Sequence, residues 1–360
     1  MRRTGTADLP LHWGQAPRWL FRRMVALSEA ILWALADSFG TRGVLERLAD
    51  PHWFQALGCL LGFDWHSSGL TTTTCGALKE ALRAAGHELG LFAAGGKGAT
   101  SRRTPEELVH LADRLALDPG PLVHASRMTA KVDSAALQDG YQIYHHAFFF
   151  DREGRWCVIQ QGMDPRTRMA RRYHWVSEGL ESFVVEPHKA VVGERRGAIL
   201  NLVAREAAPA RETIPEIVAR PPEETLAELR RIPKLVLPRR HGIVSAADVS
   251  PRGMGKVLLT LYERAPRDFE DVLATPGLGP KSLRALTLVS ELIWGAPASA
   301  RDPARFAYAH GGKDGTPYPV DRATYDKTIA SLRKAVLQAK VGRRERLDAL
   351  RRLHRLFPAE

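Results

Sequence analysis

The segment Thr275-Pro276-Gly277-Leu278-Gly279-Pro280-Lys281-Ser282 determines how the C-terminal part of the chain folds. The flanking residues 269–274 and 281–294 carry apolar side chains in a pattern that predicts two short helices joined by a tight turn. Glycine lets the backbone turn sharply and approach a phosphate group without a Cβ atom in the way. The N–H groups that begin the second helix favour an anion, and the ammonium group of Lys281 adds positive charge beside them.

The Pro-Gly-Leu-Gly turn between two helices resembles the helix-hairpin-helix pattern. The resemblance implies binding to DNA, mainly through the phosphate backbone and with little sequence preference. We expect Leu278 to point inward and hold the two helices together. The alternative is that the turn is only a loop between packed helices. The predicted DNA-contacting residues are Pro276, Gly277, Leu278, Gly279, Lys281, Ser282 and Arg284.

The charge of the chain favours a polyanionic partner. Its 360 residues include 52 Lys and Arg against 40 Asp and Glu, which gives a net charge of +12. Residues 221–360 hold 25 basic and 16 acidic residues, so most of the surplus lies toward the C-terminus. Such a field attracts a nucleic acid and speeds its association. A generally basic proteome in a high-GC organism would give a similar composition, so charge alone does not decide the partner.

The sequence pattern predicts two domains. Residues 1–208 are expected to form an α+β domain, because 141–150 is aromatic and β-rich, 151–154 is typical of a turn, and the strand pattern resumes after it. Residues 209–222 contain four prolines among charged residues and are predicted to be a linker. Residues 223–360 show only short helical patterns, which predicts an all-α domain that carries the hairpin.

Composition also bears on the location of the protein. No run approaches the eighteen apolar residues of a membrane span, and the N-terminus lacks the apolar core of a signal peptide. We therefore expect no membrane association and a cytoplasmic, nucleoid-associated protein. Cys59, Cys75 and Cys157 have no metal-like spacing and cannot all pair, so they are expected to be small buried side chains.

The first domain holds candidates for chemistry on DNA. Carboxylates bind Mg²⁺ or Mn²⁺, and a lysine can steady the attacking water, as metal-dependent phosphodiester cleavage requires. We favour a DNA-repair or DNA-processing nuclease that acts on DNA structure or damage, in which Lys131 acts beside the metal ligands Asp133 and Asp139. Either aspartate could instead serve structure, since Asp139-Gly140 is typical of a turn. Secondary catalytic candidates are Asp64, His66, His145 and Gln161.

A second hypothesis places the chemistry in the hairpin. Lys281 and the segment Pro319-Val320-Asp321 resemble the Schiff-base lysine and catalytic aspartate of the helix-hairpin-helix DNA glycosylases. The resemblance implies attack of Lys281 on the sugar of a flipped nucleotide, with Asp321 stabilising the cationic transition state and no cofactor. The two residues are separated by more of the chain than is usual in that superfamily. A third hypothesis is a DNA-binding adaptor without catalysis, whose N-terminal domain binds a partner protein.

Several polar segments resemble a known family. They are Leu9-Pro10-Leu11-His12, Asp64-Trp65-His66-Ser67-Ser68-Gly69, the strand segment 139–151 and His310-Gly311-Gly312-Lys313-Asp314-Gly315. Together they resemble a prokaryotic family described only as a domain of unknown function, over nearly the whole chain. The resemblance implies no activity.

Two expectations concern aromatic residues and strand pairing. His145-His146 and Gln160-Gln161 are expected to face each other across a hairpin, with neighbouring side chains on opposite faces. Aromatic residues in the N-terminal part could stack on an extruded base, although such residues are more often part of a core. These aromatic residues are Trp13, Trp19, Trp65, Tyr141 and Tyr144.

Overall fold

A five-stranded antiparallel sheet lies at the centre of the protein and has helices on both faces. The computed structural model describes residues 16–62, 68–193, 199–232, 251–304, 322–338 and 342–356. The sheet has the strand order β1-β3-β4-β5-β6, and β2 pairs with β7 apart from it. The strands are β1 Leu91–Lys97, β2 Leu137–Gln138, β3 Gln142–Asp151, β4 Trp156–Asp164, β5 Met169–Val176, β6 Ala190–Val192 and β7 Leu200–Asn201.

Thirteen helices are present in the described residues, and they confirm the predicted mixture of helices and sheet. A short π-helical turn at Val132–Ala136 links α6 to β2, and a kink at Gly40 bends α1. The helices are α1 Arg18–Ala49, α2 Pro51–Leu61, α3 Gly69–Leu89, α4 Ala99–Arg102, α5 Thr104–Leu115, α6 Pro119–Lys131, α7 Ala208–Val218, α8 Pro222–Arg231, α9 Pro251–Arg264, α10 Phe269–Ala274, α11 Pro280–Trp294, α12 Arg322–Gln338 and α13 Arg343–Leu356.

Side-chain alternation along the strands divides the interior into two cores. Successive side chains of a strand point to opposite faces of the sheet. Phe148 and Phe150 therefore pack with α5 to α11 on one face, which we call the α6 face. Ala147 and Phe149 pack with α1 to α3, α12 and α13 on the other, the α3 face. Because both faces are covered, the strands are buried along most of their length.

The predicted strand hairpin is confirmed by the pairing of β3 with β4. In this register His146 lies opposite Gln160, and His145 lies opposite Gln161, as expected from the sequence. All three cysteines are buried, which also agrees with the prediction. None of the helices in the described part of the chain is long and apolar enough to cross a bilayer.

The segment 209–222, predicted to be a linker, is instead mostly helical and packed. Helix α7 buries Ala210, Ile214 and Ile217 in the core of the α6 face. Two of the prolines that suggested a linker, Pro209 and Pro222, lie in the first turns of α7 and α8. A helix tolerates proline there because the N–H groups of its first turn have no intrahelical partner.

The helices after residue 222 share their cores with the sheet. Helices α8 to α11 contribute to the core of the α6 face, while α12 packs against α1 and α13 against α2. Within the described residues, the predicted all-α region therefore spans both sides of the sheet and has no core of its own.

A buried ion cluster joins the C-terminal segment to the sheet. Arg171 on β5 donates from Nη1 to Asp139 Oδ2 at 2.9 Å and from Nη2 to Asp302 Oδ2 at 2.8 Å. Tyr173 donates its hydroxyl to the same oxygen of Asp139 at 2.7 Å. All four side chains are buried. A buried charge requires such partners, because removing one leaves the other uncompensated away from water.

We predict that Asp302→Ala lowers the free energy of unfolding by about 3 kcal/mol, because Arg171 then keeps only one of its two carboxylate partners in the core. Urea denaturation measures the change. Glu178→Ala is the control, since it removes the exposed partner of Arg42 and should change stability little. Equal, small effects of the two variants would show that the buried cluster does not hold the C-terminal segment.

Candidate nucleic-acid interface

Helices α10 and α11 occupy the ranges predicted for the two helices around the glycine turn. Asp268 caps α10, and its side chain accepts the N–H of Asp271 at 2.8 Å. Leu278, at the centre of the turn, is only 1% exposed and packs with the buried residues of both helices. Its inward orientation agrees with the sequence prediction and fixes which side of the turn faces outward.

The outward side of the turn consists of backbone and one cation. Pro276, Gly277 and Lys281 are exposed, and the first turn of α11 has no acidic residue. Gly277 has a φ of +82°, which favours glycine. The N–H groups of a helix start have no intrahelical acceptor, so they are open to an anion.

Gly279 is a position at which the described structure does not require glycine. Its φ of −117° suits any residue, so the backbone does not require glycine at this position. A Cβ atom placed on Gly279 would meet none of the described atoms within 4 Å, so packing does not require glycine either. A molecule that approaches the backbone closely from outside would require it.

Two side chains from the segment between β1 and β3 hold the turn from behind. Lys131, at the end of α6, donates from Nζ to the carbonyl of Leu278. Gln138 donates from Nε2 to the carbonyl of Pro280 at 2.8 Å, and its Oε1 accepts from Arg284 Nε at 2.8 Å. Burial lowers the pKa of Lys131. Lys131, predicted to be catalytic, therefore contacts the turn, and Arg284, predicted to contact DNA, also supports it.

Asp133, a predicted metal ligand, is fully buried and surrounded by hydrogen-bonding partners. Its Oδ2 accepts from Gln160 Nε2 at 2.5 Å and from Trp175 Nε1 at 3.0 Å. Its Oδ1 lies 2.5 Å from Nε2 of His188. The carboxylate is therefore part of a polar network inside the protein.

Asp139, the other predicted metal ligand, belongs to the separate ion cluster with Arg171 and Tyr173. The structure thus gives both aspartates N–H or O–H donors inside the protein. Among the described residues, no group of three or more His, Cys, Asp or Glu side chains is placed to hold a metal. The geometry gives no support to Asp133 and Asp139 as a pair of metal ligands.

Three pairs of identical polar residues cross the sheet on neighbouring strands: His145-His146, Gln160-Gln161 and Arg171-Arg172. Alternation sends one member of each pair to each face. On the α6 face, His146 Nε2 lies 3.0 Å from Ser126 Oγ, and its Nδ1 lies 2.7 Å from Gln160 Oε1. Sequence reasoning did not select this network, although the doubled residues were a signal for it. Several residues of this network and of the clusters around Asp133 and Asp139 were not among the predicted site residues. They are Ser126, His146, Gln160, Arg171, Tyr173, Trp175 and His188.

On the α3 face the polar side chains are less completely paired. Gln161 donates from Nε2 to the carbonyl of Ser68 at 3.0 Å and to the hydroxyl of Tyr144 at 2.5 Å, but its Oε1 has no partner among the described residues. His145 is 1% exposed, and within the described part of the chain neither ring nitrogen has a hydrogen-bond partner. Lys97 lies opposite His145 across the strands. A buried imidazole that lacks hydrogen-bond partners costs stability.

Some predicted residues lie outside the described ranges. These are Asp64, His66 and Asp321 among the catalytic candidates, and Trp13 and Trp65 among the aromatic ones. Tyr141 is buried, whereas Trp19 is exposed on α1. Of the predicted Lys281–Asp321 pair, Lys281 lies within the described residues and is exposed.

This geometry defines the class as a layered α+β protein with an exposed glycine turn at the start of a helix. The chain belongs to a family whose function is not established: the family model described as "Protein of unknown function (DUF763)" matches residues 5–320. No curated protein and no solved structure matches the chain. The family membership predicted from the polar segments is therefore confirmed.

The two adjacent histidines predict a pH dependence of stability. Burial lowers the pKa of His145 to about 3 and that of His146 to about 4, below the value of about 6.5 in an unfolded chain. The unfolded state therefore binds more protons between about pH 4 and 6.5. The free energy of unfolding is at its full value above this window and falls as the pH falls through it. We expect His145→Leu to reduce this loss and to keep or raise stability at pH 7, since it removes two unpartnered polar atoms.

His146→Leu is the matched control. It removes the partner of Ser126 Oγ and of Gln160 Oε1, so it should lower the free energy of unfolding at pH 7 by about 2 kcal/mol. Urea denaturation at pH 7 and pH 5 measures both variants. Equal destabilisation by the two substitutions would contradict the assignment of His145 as unpartnered.

Proposed function

We propose that the protein binds duplex DNA through the hairpin formed by α10 and α11, by contacts to the phosphate backbone. The observation that carries the proposal is the outward edge of the turn, where Gly277, Gly279 and Lys281 surround an inward-pointing Leu278. Backbone N–H groups, a helix start and one ammonium group are suited to a phosphate.

The proposed contacts account for affinity rather than for sequence selection. Phosphate contacts set the position of a protein on a duplex, whereas contacts to base edges specify sequence. The net charge of +12 supports binding through counterion release, which weakens as salt rises. The proposal is therefore a binding function with little sequence preference and strong salt dependence.

Catalytic hypotheses remain predictions beside this proposal. A nuclease that uses Mg²⁺ or Mn²⁺ on Asp133 and Asp139 has no support from geometry, because those carboxylates belong to internal hydrogen-bond networks. For the base-excision hypothesis, Lys281 is exposed, and Asp321 lies outside the described residues. A DNA-binding adaptor without catalysis requires only the interface proposed above.

We predict that Gly279→Ala weakens binding to a duplex about tenfold or more without changing stability. The added methyl group meets no described atom of the protein, but it separates the backbone from a phosphate. Lys281→Gln, measured in the same series, should weaken binding to unrelated sequences equally and lower the salt slope by about one. Fluorescence anisotropy with two labelled duplexes, at several salt concentrations, measures these effects.

The matched control is Lys334→Gln, which removes an exposed lysine from α12 on the other side of the sheet. It should leave the duplex affinity within about twofold of the unmodified protein. Unchanged affinity in Gly279→Ala and Lys281→Gln, with folding retained by circular dichroism, would show that the hairpin does not contact the duplex.

A further inference from the structure

A groove of about 690 Å³ runs along the exposed side of α1. It is lined by one stripe of this helix and by Gly342 and Glu345 near the start of α13. The stripe recurs every three or four positions, as expected for one face of a helix. Its members include Trp19, Arg22, Arg23, Ala26, Ala30 and Trp33.

Two exposed indole rings lie at the two ends of the groove. The side chain of Trp19 is 61% exposed and that of Trp33 is 40% exposed. Fourteen residues separate them, which is roughly four turns and about 21 Å along the axis, so both point to the same side. Ala26 and Ala30, whose side chains are small, line the groove between the two rings. Exposed rings of this size at a groove are typical of a binding surface.

The beginning of α1 is crowded with positive charge. Arg18, Arg22 and Arg23 lie in its first six residues, and its first turn has no acidic residue. Arginine is unfavourable near a helix start, where the dipole is positive, and the pair Arg18 and Arg22 is spaced to repel. The guanidinium of Arg23 also lies over the ring of Trp19, 5.4 Å from its centroid. Glu29 lies farther along α1, so the Trp19 end of the α1 stripe is the basic one.

We propose that this groove binds single-stranded nucleic acid, with bases stacked on Trp19 and Trp33 and phosphates on Arg22 and Arg23. Stacking on exposed aromatic rings requires bases that are not already stacked in a duplex, which favours a single strand. The arginines complement phosphates and form two-pronged hydrogen bonds with them.

The groove and the hairpin are independent binding surfaces. Helix α1 covers the α3 face of the sheet, whereas α10 and α11 lie on the α6 face. The proposal therefore goes beyond duplex binding, and together the two surfaces fit DNA that has both double-stranded and single-stranded parts. Failure of one surface leaves the other measurable by itself.

The test is the affinity of the full chain for a labelled twelve-nucleotide oligothymidylate, measured by anisotropy. The double variant Trp19→Leu with Trp33→Leu should weaken binding about tenfold or more, because leucine keeps an apolar surface but loses base stacking. Arg22→Gln with Arg23→Gln should lower the magnitude of the salt slope by about one or more. Duplex affinity should be unchanged in both variants.

Trp294→Leu is the matched control, since Trp294 is 42% exposed at the far end of α11 and lies outside the groove. It should bind the oligothymidylate as the unmodified protein does. The proposal is overturned if the double tryptophan variant keeps full affinity, or if an abasic oligonucleotide binds as tightly as oligothymidylate. It is also overturned if that variant instead dissociates a dimer in sedimentation equilibrium, because the groove would then be a protein interface.

Discussion

The hydrogen bonds from Lys131 and Gln138 to the carbonyls of Leu278 and Pro280 are the contacts on which the proposed DNA interface depends. They join the glycine turn to residues 131–139, more than 140 positions earlier in the chain. That segment is itself held by the buried carboxylates of Asp133 and Asp139. The acid-and-lysine cluster therefore serves as a support for the hairpin.

The buried polar side chains on the two faces of the sheet differ in how completely they are hydrogen-bonded. On the α6 face, His146 and Gln160 are linked by hydrogen bonds to Asp133, so their burial is compensated. On the α3 face, His145 has no hydrogen-bond partner among the described residues, so nothing in that part of the chain compensates its burial.

Local sequence patterns predicted the helices and strands better than they predicted the contacts between these elements. The helices of the glycine turn and the pairing of β3 with β4 followed from apolar periodicity and turn residues close together in the sequence. The linker prediction at 209–222 was wrong because prolines in the first turn of a helix resemble those of an extended segment. The pairing of Arg171 with Asp302 spans 131 positions, and nothing local in the sequence encodes it. The roles of Lys131 and Asp139 were missed for the same reason.

The central claim is that the backbone of the glycine turn meets a phosphate group of DNA. Hydrogen exchange of the backbone amides, followed by mass spectrometry with and without duplex DNA, tests this claim most directly. Peptides that cover residues 276–283 should exchange more slowly when the duplex is bound, while the strands β3 to β5 remain unchanged. Binding of the duplex with unchanged exchange at 276–283 and slower exchange elsewhere would contradict the account.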